Sequence, residues 1–400
     1  MLRMGLMRPS STARLSVIAL TASLLACSSS STSTSPPPAD AAAKDHHETS
    51  VDASVDRVPA QDSAIEGAVE ASAADPLHAL AACLGTPKPL VISNQMPYFD
   101  VPIGSYSGEF VLDFASTYSS IDLSTFPSPG PTTSGCDPSD LGVVCTVEDF
   151  SFFAPPGDVS LTTEDYGESG GGLVQSGILG TDFLSEHVLT LGYADGVVYA
   201  SPESSFCSDS ELAAAGFVAL STAGFYENDL SLLEPYSNVN SMACSGSSVP
   251  NVPTVSVSVA GASALAQLDT GFDDDVTPFS VNINPAFLAA IQAANASAVV
   301  RDSSLDSSLT TCVEGVDETV EAYRLGSGIT FDFVAQGGTV ARTYTSTVLF
   351  VKHTPSDAES CGGIGTWTVP AAQVAASYYN DMKALAFDPY SARIWIPKNL

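Results

Sequence analysis

Residues 264–272 of the chain read Ala-Leu-Ala-Gln-Leu-Asp-Thr-Gly-Phe, and this stretch decides the fold. An apolar run typical of a strand ends at one carboxylate, Asp269, and a Thr-Gly turn follows. The small residues after the aspartate let the backbone turn tightly beneath it. Asp-Gly-type turns also close many ordinary hairpins, so one triplet predicts no more than a turn.

A second copy of the stretch changes that interpretation. Residues 109–116 read Glu-Phe-Val-Leu-Asp-Phe-Ala-Ser, which places Asp113 at the end of an apolar run 156 residues before Asp269. A turn glycine, Gly104 or Gly261, precedes each aspartate by eight or nine residues. Hairpins at 188–199 and 384–396 repeat in the same way. We therefore predict a degenerate tandem repeat of short strands with few helices.

The N-terminus carries the pattern of an export signal. Three arginines precede an apolar run at 15–25, which is too short to span a bilayer, and Leu-Leu-Ala-Cys ends the pattern at Cys27. Small residues before a cysteine resemble the bacterial lipobox, which implies cleavage before Cys27 and attachment of lipid to it. The alternative is an ordinary signal peptide with a chance cysteine. Residues 1–26 are thus predicted to be a lipoprotein signal peptide.

Composition divides the rest of the chain. Residues 27–75, which begin with the lipidated cysteine, are rich in Ser, Thr, Pro and Ala, and they predict a disordered tether. After it we expect an N-terminal lobe at 76–202, a connector at 203–250 and a C-terminal lobe at 251–400. Within the connector, short helices are predicted at 210–215 and 229–233. A longer helix, with proline at its start, is predicted at 285–296.

The charge of the chain excludes some partners. A formal net charge of −32 argues against binding of nucleic acid or anionic lipid through a basic face. The glycines at 170–180 precede no Gly-Lys-Ser/Thr sequence, and no cysteines have C-x-x-C spacing. We therefore expect no cofactor and no metal.

The eight cysteines fit an exported protein, in which disulfides can form. If Cys27 carries lipid, seven are left. Spacing alone does not determine connectivity, and closeness in sequence suggests three pairs with one cysteine unpaired. The expected pairs are Cys136–Cys145, Cys312–Cys361 and Cys207–Cys244, and the unpaired residue is Cys83.

The paired aspartate stretches, together with the Gly-Ile-Leu-Gly-Thr-Asp-Phe-Leu segment at 177–184 and the hairpin after it, resemble the pepsin-like and retropepsin-like aspartic proteases. The resemblance covers about residues 90–400. It implies an all-β, bilobal fold with two related β-barrel-like lobes and a cleft between them. In that family the segment like 177–184 threads beside the catalytic loop. For the second half, 366–370 is the nearest candidate for such a segment.

The same resemblance implies a site with one carboxylate from each lobe, Asp113 and Asp269. Two carboxylates in one low-dielectric cleft share a proton and titrate as a unit, so one activates a water while the other protonates the scissile carbonyl. The hairpin at 150–165 would be the flap over the substrate. Its cleft-facing aromatic is either Tyr166 or Phe153, and the sequence leaves both open.

The loops depart from the family's Asp-Thr-Gly-Ser/Thr pattern. Phe114 replaces the threonine whose hydroxyl bonds across to the opposite loop, and Ala115 adds a Cβ where the family has glycine. Ser116 keeps the hydroxyl that supports the aspartate. The second loop keeps Thr270 and Gly271 but has phenylalanine at 272 instead of Ser or Thr.

Three functions follow from these observations. The first is a membrane-anchored, monomeric aspartic endopeptidase of the bacterial cell envelope that acts on peptides in acid. The second keeps the pepsin-like fold without the reaction, as a lipoprotein that binds peptides or other ligands. The third is an unrelated β-rich envelope lipoprotein in which Asp113 and Asp269 are turn residues. A large separation of the two carboxylates would favour the third.

Overall fold

Short β-prone runs between Gly and Pro turns form strands from residue 88 onward in the described part of the chain, as the sequence predicts. The computed structural model describes residues 77–398 apart from 117, 167–172, 227–228, 236–251, 273–276, 312, 314 and 362, with the backbone alone at 223–226, 229–235 and 360–361. These residues belong to one contact unit of the chain, Pro38–Leu400. The predicted signal peptide, Cys27 and the tether lie outside the described residues.

The strands before residue 202 are β1 (Lys88–Pro89), β2 (Val91–Ser93), β3 (Met96–Ile103), β4 (Tyr106–Leu112), β5 (Ser120–Ile121), β6 (Thr133–Ser134), β7 (Val144–Phe150), β8 (Gly157–Thr163), β9 (Gln175–Leu179), β10 (Val188–Gly192) and β11 (Val197–Ser201). The later strands are β12 (Phe217–Tyr226), β13 (Asp229–Pro235), β14 (Thr254–Val259), β15 (Ala262–Leu268), β16 (Phe279–Ile283), β17 (Val299–Arg301), β18 (Ser307–Thr310), β19 (Asp317–Leu325), β20 (Phe331–Val334), β21 (Val340–Tyr344), β22 (Thr347–His353), β23 (Ala371–Val374), β24 (Ala384–Asp388) and β25 (Arg393–Pro397). The expected all-β class is confirmed.

Helices are short and few. The α-helices are α1 (Ala81–Leu84), α2 (Thr181–Leu184), α3 (Asp209–Ala214), α4 (Pro285–Ala294) and α5 (Ala376–Met382). Single 3₁₀ turns occur at His78–Leu80, Leu123–Thr125, Glu203–Ser205, Ser303–Leu305, Ser356–Cys361 and Ile364–Thr366. No helix in the described part of the chain is long and apolar enough to cross a membrane.

Two sheets hold these strands. The first has eight strands in the order β2-β3-β4-β9-β5-β8-β7-β6, all from the first half of the chain. In it, β3 and β4 form the hairpin predicted before Asp113, and Gly104 occupies the turn with a φ of 59°. The second sheet has seventeen strands and contains most of the second half.

The predicted hairpins at 188–199 and 384–396 lie side by side in the second sheet. β10 pairs antiparallel with β24, so that Thr190 faces Ala386, and each strand also pairs with the other strand of its own hairpin. One apolar core extends from the first sheet through this pair into the strands around β15. The two copies of the repeat are therefore joined through a shared stretch of sheet.

The helix predictions meet different outcomes. α3 forms at the predicted place, where Ser208 and Glu211 make a capping box, and α4 begins at its proline behind the Asn284 cap. The helix predicted at 229–233 is wrong, because β13 forms there and pairs antiparallel with β12. The Asp-Leu-Ser-Leu sequence alternates with the period of a strand, and that period prevails.

The disulfides confirm one prediction and correct two. Cys136 pairs with Cys145 as expected, but Cys207 pairs with Cys83, which we predicted to be free, and not with Cys244. Packing explains the change, because Cys83 and Cys207 both lie in an apolar cluster that includes Leu80, Leu84 and Tyr199. Closeness in space, not in sequence, decides this bond. Cys244, Cys312 and the side chain of Cys361 lie outside the described residues.

The two disulfides should differ in their effect on stability. The Cys83–Cys207 bond closes a loop across 124 residues, whereas Cys136–Cys145 spans 9. Loop-closure entropy predicts that replacing the first pair by alanine lowers the free energy of unfolding by about 5 kcal/mol, and the second by about 3 kcal/mol. Denaturant unfolding of the two double variants under oxidising conditions measures both. A larger loss for the short loop would contradict this prediction.

Candidate active site

The first aspartate lies where a parallel strand pair ends. β4 pairs in parallel with β9, Leu112 beside Leu179, and the Asp113 N–H donates to the Leu179 carbonyl at 2.9 Å. Two glycines of the predicted 177–184 segment allow this approach. A Cβ at Gly177 would overlap the Phe110 ring, and one at Gly180 would lie 2.6 Å from the Tyr118 carbonyl oxygen. The segment runs beside the loop as the sequence predicts.

The second aspartate is delivered in the same way. β15 pairs in parallel with β23, Leu268 beside Val374, and the Asp269 N–H donates to the Val374 carbonyl at 3.0 Å. The segment beside this loop is therefore β23, and the prediction of 366–370 is wrong. A search of the sequence for a segment with glycine misses β23, because its small residues are alanines, of which Ala372 is fully buried. The usable signal is a short apolar run directly before a helix, which 175–184 also shows.

Each loop is also held where it leaves the site. The Thr181 N–H, at the start of α2, donates to the Ser116 carbonyl at 2.9 Å. In the second copy the Ala376 N–H, at the start of α5, donates to the Phe272 carbonyl at 2.7 Å. Both loops thus have the same two backbone anchors, one at the aspartate and one three residues later.

Thr270 connects the two loops. Its hydroxyl donates to the Leu112 carbonyl at 2.6 Å and accepts from the Phe114 N–H at 3.1 Å. The reciprocal bond is impossible, since Phe114 has no hydroxyl. Its ring is instead fully buried and contacts the Phe387 ring on β24, with centroids 5.0 Å apart. One half of the family's cross-loop hydrogen bonding is present, and aromatic packing occupies the place of the other half.

Gly271 brings the two carboxyl groups together. Its N–H donates to Asp269 Oδ1 at 3.1 Å, and its backbone lies against the Asp113 carboxyl group. A Cβ at Gly271 would lie 2.7 Å from Asp113 Cγ, so glycine is required by this approach. The pair is close and buried, with the aspartates 7% and 6% exposed, which argues against two unrelated turn residues.

Burial determines the proton affinity of Asp113. Desolvation raises its pKa to about 6, against backbone N–H groups of Ala115, Gly271 and Ser116 that lower it. The Ala115 N–H lies 2.7 Å from Oδ1. Because desolvation outweighs these three donors, Asp113 holds its proton in mildly acidic solution. A buried carboxyl group that retains its proton is what a general acid needs.

Two supporting residues behave differently from the expectation. The Ser116 hydroxyl donates its only proton to the Tyr118 carbonyl at 2.7 Å, so it does not donate to the Asp113 carboxyl group. Ala115 does not have a left-handed backbone, and its Cβ is therefore accommodated without strain.

Sequence reasoning missed Gln373. Its side-chain amide, Nε2, donates to Asp269 Oδ2 at 2.5 Å. This donor comes from β23, the strand that the sequence did not identify, and Phe272 leaves no side-chain hydroxyl at the usual loop position. A glutamine among the apolar residues Ala-Ala-Gln-Val-Ala is the signal that could have found it.

A hairpin of β7 and β8 forms where the sequence predicts one, but its first strand ends at Phe150, and residues 151–156 form the turn. Phe153 packs its ring on Phe99, with centroids 5.5 Å apart. Tyr166 follows β8, and its hydroxyl is hydrogen-bonded to Ser120 Oγ. Since Ser120 pairs with Ile178 on β9, Tyr166 is connected to the strand beside Asp113, which makes it the better candidate for the cleft-facing aromatic.

Within the residues that the structure describes, no group of three or more His, Cys, Asp or Glu side chains could hold a metal ion.

Comparisons with known proteins find a distant likeness among solved structures. No protein-family model matches the chain, and no curated protein matches it. Among solved structures, the chain is similar to basic 7S globulin from soybean, with a TM-score of 0.41 and 9% identity over 78% of this chain and 94% of that one. The all-β class follows from the chain's own strands and not from this likeness.

Removing the Thr270 hydroxyl should destabilise the protein. Thr270→Val keeps the shape but leaves the Leu112 carbonyl and Phe114 N–H without that partner, at a cost of about 2–4 kcal/mol in the free energy of unfolding. Thr190→Val is the matched control, because Thr190 is equally buried and its hydroxyl has no partner among the described residues. Denaturant unfolding should show little change for the control. Equal losses in both variants would contradict the role of Thr270.

Asp113→Asn should stabilise the protein increasingly as pH rises. The pKa of Asp113 in the folded protein, about 6, lies above the ordinary value of 3.8, so the unfolded chain loses this proton first. The wild type therefore loses on the order of 2–3 kcal/mol of stability between about pH 4 and 6. The Asp113→Asn variant does not lose it, because asparagine does not titrate. Unfolding of both proteins at pH 4 and pH 7 measures this difference. A constant difference, or one that shrinks as pH rises, would contradict burial as the dominant effect.

Proposed function

We propose that the chain is a pepsin-like aspartic endopeptidase, held at the bacterial cell envelope through lipid on Cys27. The observation that carries the proposal is the position of Gly271 between two buried carboxyl groups: its N–H donates to Asp269 Oδ1, and a Cβ added to it would lie 2.7 Å from Asp113 Cγ. Two carboxyl groups this close do not both ionise readily, so one proton is shared between them. This is the electrostatic condition for hydrolysis of a peptide bond by a water molecule between two aspartates.

In the proposed reaction the ionised aspartate removes a proton from the water as the water oxygen attacks the peptide carbonyl carbon. The protonated aspartate gives its proton to the carbonyl oxygen, and a tetrahedral intermediate with two hydroxyls results. Collapse of the intermediate breaks the C–N bond, and a proton passes to the leaving amine. The pair of carboxyl groups ends with one proton, as it began.

The partners follow from the same proposal. An extended peptide or a protein segment is the substrate, and the β7–β8 hairpin closes over it. The protein acts as a monomer, because each copy of the repeat supplies one aspartate. Its strongly negative charge argues against nucleic acid, and the membrane is contacted through the N-terminal lipid.

Departures from the family pattern at both loops favour a second function. Phe114 replaces the family's hydroxyl, and Gln373 replaces the support expected at Phe272, so the pair differs from the family on both sides. A catalytically inactive lipoprotein that binds peptides or other ligands in the same cleft would tolerate these changes.

The decisive experiment measures cleavage of an unfolded protein by the full chain from pH 3 to 7. We expect Asp113→Asn and Asp269→Asn each to lower kcat/KM by about 10²–10⁴-fold, since each removes an acid or a base. Activity of the wild type should fall as pH rises through about 6, where Asp113 loses its proton.

The matched control is Asp388→Asn. Asp388, at the end of β24, is as buried as Asp113, and it accepts backbone N–H groups of Tyr390 and Ser391 in the turn before β25. It should keep full activity. Cleavage that survives in Asp113→Asn would contradict the enzyme. No cleavage at any pH by a folded wild type that still binds peptide would favour the inactive binding protein.

A further inference from the structure

Gln373 is held in place by a second amide. Asn282 on β16 lies directly opposite Gln373 on β23, and its Nδ2 donates to Gln373 Oε1 at 3.0 Å. Asn282 is only 3% exposed. Because Asn282 engages the Gln373 oxygen, the amide nitrogen Nε2 points to Asp269 Oδ2. This orientation suits a carboxylate, which can only accept hydrogen bonds.

The first loop has no such device at the corresponding position. The register of the strands makes Ile178 the counterpart of Gln373, since each lies one residue before the carbonyl that anchors its aspartate. Likewise Ser120 is the counterpart of Asn282, because each faces that residue across an antiparallel pair. An apolar side chain therefore stands beside the first loop where a fixed amide donor stands beside the second.

Hydrogen bonds to a carboxylate favour its ionised form, whereas burial favours the protonated form. Each aspartate accepts the backbone N–H of the residue two positions later, Ala115 or Gly271, and Asp269 accepts the Gln373 amide in addition. We propose that Gln373, oriented by Asn282, is a positioning residue that makes Asp269 the ionised member of the pair and leaves the shared proton on Asp113. The inference rests on the proposed function, and it deepens it by assigning the two roles. Asp269 then activates the water, and Asp113 protonates the carbonyl oxygen.

Other titratable groups facing Asp269 do not reverse this assignment. Two such groups are Asp113, from the first loop, and Tyr379, from α5. The Tyr379 hydroxyl donates to the Val374 carbonyl at 3.3 Å, and burial raises its pKa well above the ordinary value, so it stays neutral. The high proton affinity of Asp113 agrees with the direction of the proposal.

The test follows the carboxyl carbons of ¹³C-labelled aspartates by NMR as pH is varied, with Asp113→Asn and Asp269→Asn used to assign the signals. In the wild type, Asp269 should lose its proton at lower pH than Asp113. Gln373→Met keeps the length and removes the donor, so the Asp269 midpoint should rise by roughly one pH unit. Asn282→Leu frees the Gln373 amide to rotate, and the midpoint should rise by less.

Ile178→Met is the matched control, because it changes the counterpart position without adding or removing a donor, and it should leave the Asp269 midpoint in place. An unmoved midpoint in Gln373→Met, or loss of the Asp113 proton first in the wild type, would overturn the assignment. If Gln373→Met does not fold, Asn282→Leu tests the same direction.

Titration also separates this inference from the proposed function. A wild type without peptidase activity, whose Asp269 midpoint still rises in Gln373→Met, would refute the enzyme and keep the assignment. An active wild type that depends on both aspartates, with an unmoved midpoint, would refute the assignment alone. If both hold, Gln373→Met should shift the acidic limb of the pH–activity profile to higher pH, together with the Asp269 midpoint.

Discussion

The hydrogen bonds of the Thr270 hydroxyl hold the two halves of the candidate site in register. The hydroxyl joins the second loop to the backbone on both sides of Asp113, through the Leu112 carbonyl and the Phe114 N–H. Gly271 follows directly, so the same bonds fix it between the two carboxyl groups, where its N–H donates to Asp269 Oδ1 and its backbone lies against the Asp113 carboxyl group.

The shared stretch of sheet supplies the rest of this constraint. β10 and β24 pair across the two copies of the repeat, and the Phe114 ring packs on Phe387 of β24. A buried aromatic contact is worth about 0.5–1.5 kcal/mol beyond its buried area. Packing of this kind can fix the distance of the first loop from the second without a reciprocal hydroxyl. Loss of the threonine at this position therefore does not release the loop.

Much of the architecture could be predicted because it is written in local patterns. Alternating runs, turn glycines and the two aspartate stretches are periodic, and they identify β3, β4, β15 and the hairpins at 188–199 and 384–396. The approach of the 177–184 segment to the first loop is implied by its family resemblance, and the structure shows that the space at Gly177 and Gly180 admits no Cβ. Long-range pairing could not be predicted, because the Cys83–Cys207 bond and the β15–β23 contact depend on packing between residues far apart in sequence.

Gln373 shows why the electrostatics of a site are harder to read than its fold. The family pattern directs attention to the loop residues, and there Phe272 looks like a loss. The support for Asp269 comes instead from a neighbouring strand, where register and a second amide set the direction of the donor. A loop that lacks its usual hydroxyl can therefore stabilise an ionised aspartate as long as a parallel strand presents an amide at the residue before the anchoring carbonyl. The first loop has Ile178 at that place, which supplies no donor, so in the proposed assignment burial keeps the proton on Asp113.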